Sequence, residues 1–191
     1  MIFLFSSVAE GISGNKDSNG IYEGLIAEMA TGSIQALELL YQETKTAVYG
    51  FALSIIKNPQ DAEDIAQDTY VRVFQAAKSY NPRGKPMAWI LTITRNFSLM
   101  KLRRNPEATF EDYTIEHGIQ DFSENTIDRI VLKTAFRVLS DEEKQIVMLH
   151  SVAGLKHREI AEIMKIPLST ALSKYRRALS KLKKELREEK P

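Results

Sequence analysis

The sequence predicts an all-α protein: an N-terminal helical bundle and a C-terminal helix-turn-helix domain, joined by an acidic flexible linker. Three observations carry this. Apolar residues recur at spacings of three and four almost throughout, with no convincing period-two strand. Helix start and stop signals fall where that periodicity breaks. The charge divides the chain into a balanced, an acidic and a basic part.

In the first part, Leu25, Ile26 and Met29 begin one apolar stripe. Ala36, Leu37, Leu40, Tyr41, Val48, Phe51, Ala52, Ile55 and Ile56 form the core face of a second helix. Asn58-Pro59 closes that helix and opens the next, Asn58 as N-cap and Pro59 in the first turn, where its missing N–H costs nothing. The third helix buries Ile65, Ala66, Val73, Phe74 and Ala77. Asn81-Pro82 and Gly84-Lys85-Pro86 punctuate a loop. A fourth helix places Trp89, Ile90, Ile93, Phe97 and Met100 on its apolar side.

Residues 105–126 contain six acids and no Lys or Arg, whereas residues 127–191 contain 15 bases against nine acids. Beyond the acidic stretch, Ile127, Ile130, Val131, Ala135 and Val138 mark a helix. Ser140 and Glu143 have the spacing of a capping box for the next, which carries Ile146, Val147, Leu149 and Val152 and stops at Gly154. A short helix over His157–Met164, with Ala161 in mid-face, meets a turn at Lys165-Ile166-Pro167. A long basic helix then starts at about Ser169. Leu172, Tyr175, Leu179, Leu182 and Leu186 form its apolar stripe. Thr170, Ser173, Lys174, Arg177 and Lys181 project from the other side. Short helix, turn and longer basic helix is the order of a helix-turn-helix. The N-terminus of the second helix offers free N–H groups to a phosphate, with Arg and Lys next in line for base edges.

Composition excludes several classes. Hydrophobic residues make up 43% and charged residues 27%, as in an ordinary globular chain. There is no cysteine, so no disulfide framework and no thiolate metal site. No apolar run nears the roughly 18–20 residues of a membrane span. The opening Met1–Phe5 is too short and lacks the basic start of a signal peptide, so a cytoplasmic protein is expected. His117, His150 and His157 have no neighbouring nucleophile or second ligand at metal spacing. Asp61, Glu63, Asp64 and Asp68 read as an exposed acidic helix face rather than a Mg²⁺ cluster. No catalytic residue, metal, cofactor or small-molecule substrate is therefore expected.

Charge within the first domain points to two partners. Asp61 to Gln75 holds four acids and only Arg72 as a base. Ala76 to Arg104 holds seven bases and no acid, which suits a polyanion.

At this point the chain, from about Tyr22 to Leu186, resembles the extracytoplasmic-function (ECF) class of the sigma-70 family of bacterial RNA polymerase sigma factors. The resemblance rests on the run from Asn58 to Asp68, the run from Trp89 to Asn96, then Leu139-Ser140, Gly154-Leu155, Glu159-Ile160-Ala161 and the helix over Ser169–Leu182. Residues 1–20, rich in Gly, Ser and Asn, are expected to be mobile; the resemblance implies a region 2 domain (21–104), a linker (105–126) running through the RNA-exit path, and a region 4 domain (127–187). It also implies a factor that binds the β′ and β subunits of core RNA polymerase and directs initiation at promoter DNA through the −35 and −10 elements.

By the resemblance, Asp61, Asp64, Gln67 and Asp68 face a coiled coil of the β′ subunit. Lys78, Tyr80, Asn81, Arg83, Gly84 and Lys85 lie in or beside the loop that captures an unstacked −10 base. Arg95, Lys101, Arg103 and Arg104 hold phosphates, and Asn96 holds a phosphate or a helix neighbour. Trp89, lying in the apolar stripe, is read as packing. His157 and Arg158 are candidates for −35 backbone contacts. Ser169, Thr170, Ser173, Lys174 and Arg177 form the recognition surface, while Arg176 and Lys181 fit a DNA-facing or a solvated role equally. An anti-sigma factor, which would hold the protein at the membrane, is a common partner in this family. The chain departs from the family pattern at Met100, where an acid is common, at Ser169 for Gly, and at Lys174 for Arg, which forgoes bidentate recognition of guanine. The competing reading is a helix-turn-helix regulator that works without polymerase. It leaves the acidic and basic tandem of residues 61–104 without a role.

Overall fold

The computed structural model describes residues 15–104 and 137–188, with side chains over 18–104 and 137–185. The expected linker, most of the helix expected at 127–138, the side chain of Leu186 and His117 lie outside the described residues.

Four helices form the first unit: α1 (Asn15–Ala30), α2 (Ile34–Ile56), α3 (Pro59–Ala76) and α4 (Pro86–Arg104), with a 3₁₀ turn at Ala77–Ser79. Helix α1 starts at Asn15, so six residues of the segment read as 1–20 are helical. Gly32, at φ +99°, ends the α1 turn in a conformation that costs a Cβ-bearing residue energy. The Ser33 side chain accepts from the Ala36 N–H to start α2. Asn58 caps α3 as expected, its Oδ1 accepting from the Asp61 N–H at 3.2 Å, with Pro59 in the first turn.

The second unit comprises α5 (Asp141–Val147), a π turn (Met148–Val152), α6 (His157–Met164) and α7 (Leu168–Glu188). The capping box forms, Ser140 N–H donating to Glu143 Oε2 at 3.0 Å. The helix expected to continue to Val152 widens instead at Met148, where the Ala153 N–H reaches back five residues to the Met148 carbonyl. Gly154, at φ +69°, then lets the chain leave. Lys165 takes the left-handed conformation at the end of α6 and the Ile166 N–H closes on the Ala161 carbonyl. This is the tight turn between the helices of a helix-turn-helix. Among the described residues every regular element is helical.

Helix α4 turns a different face inward from the one expected. Met87, Ile90, Leu91, Thr94 and Ser98 are buried, Trp89, Ile93 and Phe97 are half-buried, and Met100 is 45% exposed. The reason is hydroxyl chemistry. Thr94 and Ser98 donate to carbonyls four residues back, and Thr69 does the same on α3, so polar residues occupy core positions without an unpaired hydroxyl. On α7 the stripe likewise includes Ala171 and Ala178, both fully buried, beside Tyr175 and Leu182.

In α2, every residue from Ala47 to Ile56 is buried, more than one helical face can supply. Helices α3 and α4 cover part of it, and α5 and the π turn cover the rest, so both units share one continuous core. Each buried Leu, Ile or Phe side chain contributes about 1.5–3 kcal/mol. Apolar contact of this kind outweighs the exposed ion pairs at its margin, worth about 0–1 kcal/mol each.

Candidate nucleic-acid and polymerase interfaces

The acidic face of α3 follows from its periodicity. With Ala62, Ile65, Ala66, Thr69 and Val73 turned to the core, Glu63, Asp64, Gln67, Asp68, Val71 and Arg72 are left in solvent. Asp61 differs. It is half-buried, and its Oδ1 takes an ion pair from Lys101 Nζ at 2.7 Å. That hydrogen bond raises the Lys101 pKa, with Asp64 and Asp68 adding to the field. One expected polymerase contact and one expected phosphate contact thus engage each other.

The loop between α3 and α4 is pinned from a distance. Glu23 on α1 accepts from the Tyr80 hydroxyl at 3.2 Å and from the Gly84 N–H at 2.7 Å through the same oxygen. Burial, and then the nearby Glu23 charge, push the Tyr80 phenol up to about 12. The Tyr80 ring tilts against Trp89 at 4.7 Å, and both rings pack on the core, as expected for Trp89. Gly84 sits at φ +68° with open space where a Cβ would be, so backbone conformation rather than room favours glycine there. Lys78, Asn81, Arg83 and Lys85 are exposed around this loop, and Asn96, Arg103 and Arg104 along α4, with Arg95 half-buried. Glu23 was not legible in the sequence, since 57 and 61 residues separate it from its partners.

In the second unit, Arg158, Ser169, Ser173 and Arg177 are exposed and Thr170 is half-buried, its carbonyl accepting from the Ser173 hydroxyl at 3.0 Å. Lys174 is tied to Glu142 on α5. Lys181 is likewise paired, to Glu143, at 2.7 Å. Burial alone would raise the Glu143 pKa, but Lys181 and the capping N–H of Ser140 outweigh it and hold the carboxyl below its usual range. His157 turns inward: its ring stacks on His150 at 4.3 Å and meets Tyr175 edge-on at 4.8 Å. Its Nε2 is buried without a hydrogen-bond partner among the described residues. Burial, then His150 and Arg176, lower its pKa. His150 is fixed by its own bond to the Leu155 carbonyl at 2.8 Å.

The two units meet along a cleft of about 480 Å³. One wall is the basic loop and α4, including Asn81, Arg83, Lys85 and Arg95, and the other is α6, including Glu159, Glu162 and Ile163. Lys85 Nζ lies 3.7 Å from Glu162 and 4.0 Å from Glu159. At the other margin Lys57 Nζ pairs with Asp141 at 2.6 Å.

A helical bundle with one acidic and one basic face, carrying a helix-turn-helix unit, belongs to the class of helical DNA-binding transcription proteins. Comparison with known proteins narrows this. The family model for sigma-70 region 2 matches residues 40–106, and that for sigma-70 region 4 matches residues 129–182. The ECF RNA polymerase sigma factor RpoE of Cereibacter sphaeroides is 30% identical over 152 residues, covering 77% of this chain and 84% of that protein. The ECF sigma factor SigK of Mycobacterium sp. (strain KMS) is 26% identical over 168 residues, covering 83% and 87%. The fold is shared with the sigma factor RpoE of Bartonella quintana, solved in complex with the anti-sigma factor NepR, at a TM-score of 0.58 and 19% identity over 82% of this chain and 100% of that one. The chain belongs to the ECF class of the sigma-70 family. It is a sigma factor, which directs promoter-specific transcription together with core RNA polymerase.

Proposed function

We propose that three surfaces divide the work of initiation. Residues 21–104 act as the region 2 domain, 105–126 as linker and 127–187 as the region 4 domain. On α3, the exposed Asp64, Gln67 and Asp68 dock on core polymerase. The loop from Lys78 to Lys85, with Tyr80 held by Glu23, receives the −10 strand, while Arg95, Asn96, Arg103 and Arg104 carry its phosphates. On α6 and α7, Arg158, Ser169, Thr170, Ser173 and Arg177 read the −35 element. Lys174, Lys101 and Asp61 contribute only when their internal partners release them, and His157 supports the domain from within.

The observation that carries this reading is the separation of charge on adjoining helices. Exposed carboxylates with Gln67 line α3, and exposed bases follow through the loop and α4, a stretch of sequence that contains no acid. A protein surface and a polyanion are thereby offered different faces. The protein acts by binding rather than by chemistry, in the cytoplasm. An anti-sigma partner, like the one solved with the Bartonella relative, would compete for these faces.

The experiment is a pair of variants in full-length protein. Asp64→Lys with Asp68→Lys is expected to weaken core polymerase binding with helix content unchanged. Arg177→Ala is expected to cost about 1–3 kcal/mol on −35 DNA while sparing a pre-melted −10 template. Unchanged core affinity in the first variant would remove the docking face. Equal losses on both templates in the second would mean that α7 is not a separate reader.

A further inference from the structure

Resting on the assignment of α7 to the −35 element, we propose that Glu142 on α5 is a specificity-determining residue, which bars guanine from the part of the site beside Lys174. Helix α7 buries Ala171, Tyr175, Ala178 and Leu182. At about 100° per residue, Ser169, Ser173 and Arg177 then fall along the middle of its outer face. Arg176 and Lys183, both exposed, flank them on one side, and Lys174 and Lys181 on the other. That second flank lies toward α5, whose Glu142 and Glu143 take the two lysines one each.

The two pairs present opposite charges to a ligand. At Lys181 the carboxylate is hidden: the Glu143 side chain is 5% exposed and the lysine 48%. At Lys174 the order reverses, with the lysine 20% exposed and Glu142 55%. DNA approaching here meets a carboxylate where the sequence alone offers an ammonium. An exposed pair of this kind adds little to stability, but it changes which base edges fit. Guanine turns two acceptors, N7 and O6, into the major groove, whereas cytosine and adenine each offer an amino donor. An ionised carboxylate only accepts. It repels the guanine edge, takes a hydrogen bond from an amino group, and holds the Lys174 ammonium, itself a guanine contact, against α5. Arg177, exposed and three residues on, keeps its guanidinium for guanine elsewhere in the site.

The experiment is a selection by holoenzyme, reconstituted with the full-length chain, from promoter DNA randomised over the −35 element. The unaltered chain is expected to recover sequences that exclude guanine at one or two adjacent positions. Glu142→Gln, a change of charge without change of shape on an exposed side chain, is expected to readmit guanine there and to leave the other positions as they were. Affinity for a readmitted sequence should rise about three- to tenfold over the unaltered holoenzyme, as one hydrogen bond gained allows. Glu142→Asp keeps the charge and should keep guanine excluded. Recovery of the same sequences by the Gln variant would overturn the proposal. So would guanine readmitted by Asp as well as by Gln, since length rather than charge would then decide. Recovery with no −35 preference by the unaltered chain would overturn the assignment of α7 as reader and the proposal with it, whereas failure of the proposal alone leaves that preference intact.

Discussion

Asp61 on α3 and Lys101 on α4 are joined by a 2.7 Å ion pair, half out of solvent, between the acidic helix and the basic helix. The pair braces the angle between the two faces, and each partner is less available to an outside ligand than its sequence position suggests.

Asp61→Asn is therefore expected to destabilise the first unit by about 1 kcal/mol, since the pair is partly screened by water. The N-cap bond from the Asp61 backbone to Asn58 would survive. Urea unfolding checks this, alongside Asp64→Asn, which is exposed and expected to change stability by less than about 0.5 kcal/mol.

The Glu23 anchor makes a second prediction. Glu23→Gln removes the charge beside Tyr80 and weakens the acceptor for the Tyr80 hydroxyl and the Gly84 N–H, so the phenol is expected to ionise below about 12, while its burial keeps it above the ordinary value of 10. In the unaltered protein a raised native pKa means that this group's contribution to stability is complete below pH 10 and is lost as pH rises through about 12. Ultraviolet titration of tyrosinate reads the shift. Opening of −10 DNA should fall in the same variant, because the loop loses its tie to α1.

His157 predicts the opposite pH dependence. Its native pKa lies below the ordinary 6.5, so the folded state binds fewer protons than the unfolded state as pH falls beneath 6.5. The stability it confers is present above that value and is lost on acidification through the native pKa. Unfolding of the second unit is expected to become easier between neutral and mildly acidic pH, and His157→Phe, which retains the stack on His150 and Tyr175, should flatten that dependence. A slope unchanged by the substitution would assign the acid sensitivity elsewhere.

The helices were legible where burial is apolar and local. The Asn58-Pro59 boundary, the Ser140–Glu143 box and the turn at Lys165–Pro167 all formed as their residue types dictate. The misreadings fall where hydrophobic periodicity carries no signal. The inward face of α4 depends on Thr94 and Ser98 satisfying their hydroxyls within the helix, which a hydrophobicity pattern scores as polar. The π turn at Met148 follows a helix whose periodicity gives no sign of widening. At the site, exposure of Asp64, Asp68, Arg83 and Arg177 was readable from helical spacing. The engagement of Asp61, Lys174 and Lys85 by other acids was not, because those partners come from other elements. The acidic linker suggested two independent units, whereas the unbroken burial of α2 joins them.

Promoter recognition is expected to belong to the complex with polymerase and not to the free chain. With formal net charge +1 overall and its basic surfaces split between two units, the free chain can neutralise few phosphates at once, and log K falls by about 0.9 per contact per decade of salt. Core polymerase would fix the two readers at promoter spacing and supply the effective concentration that the isolated chain lacks. The direct measurement is a salt-series mobility shift on one promoter, with the free protein and with the reconstituted holoenzyme. The account predicts sequence-specific binding by holoenzyme and none by the free protein at about 0.15 M salt. Tight, specific binding by the free protein under the same conditions would contradict it.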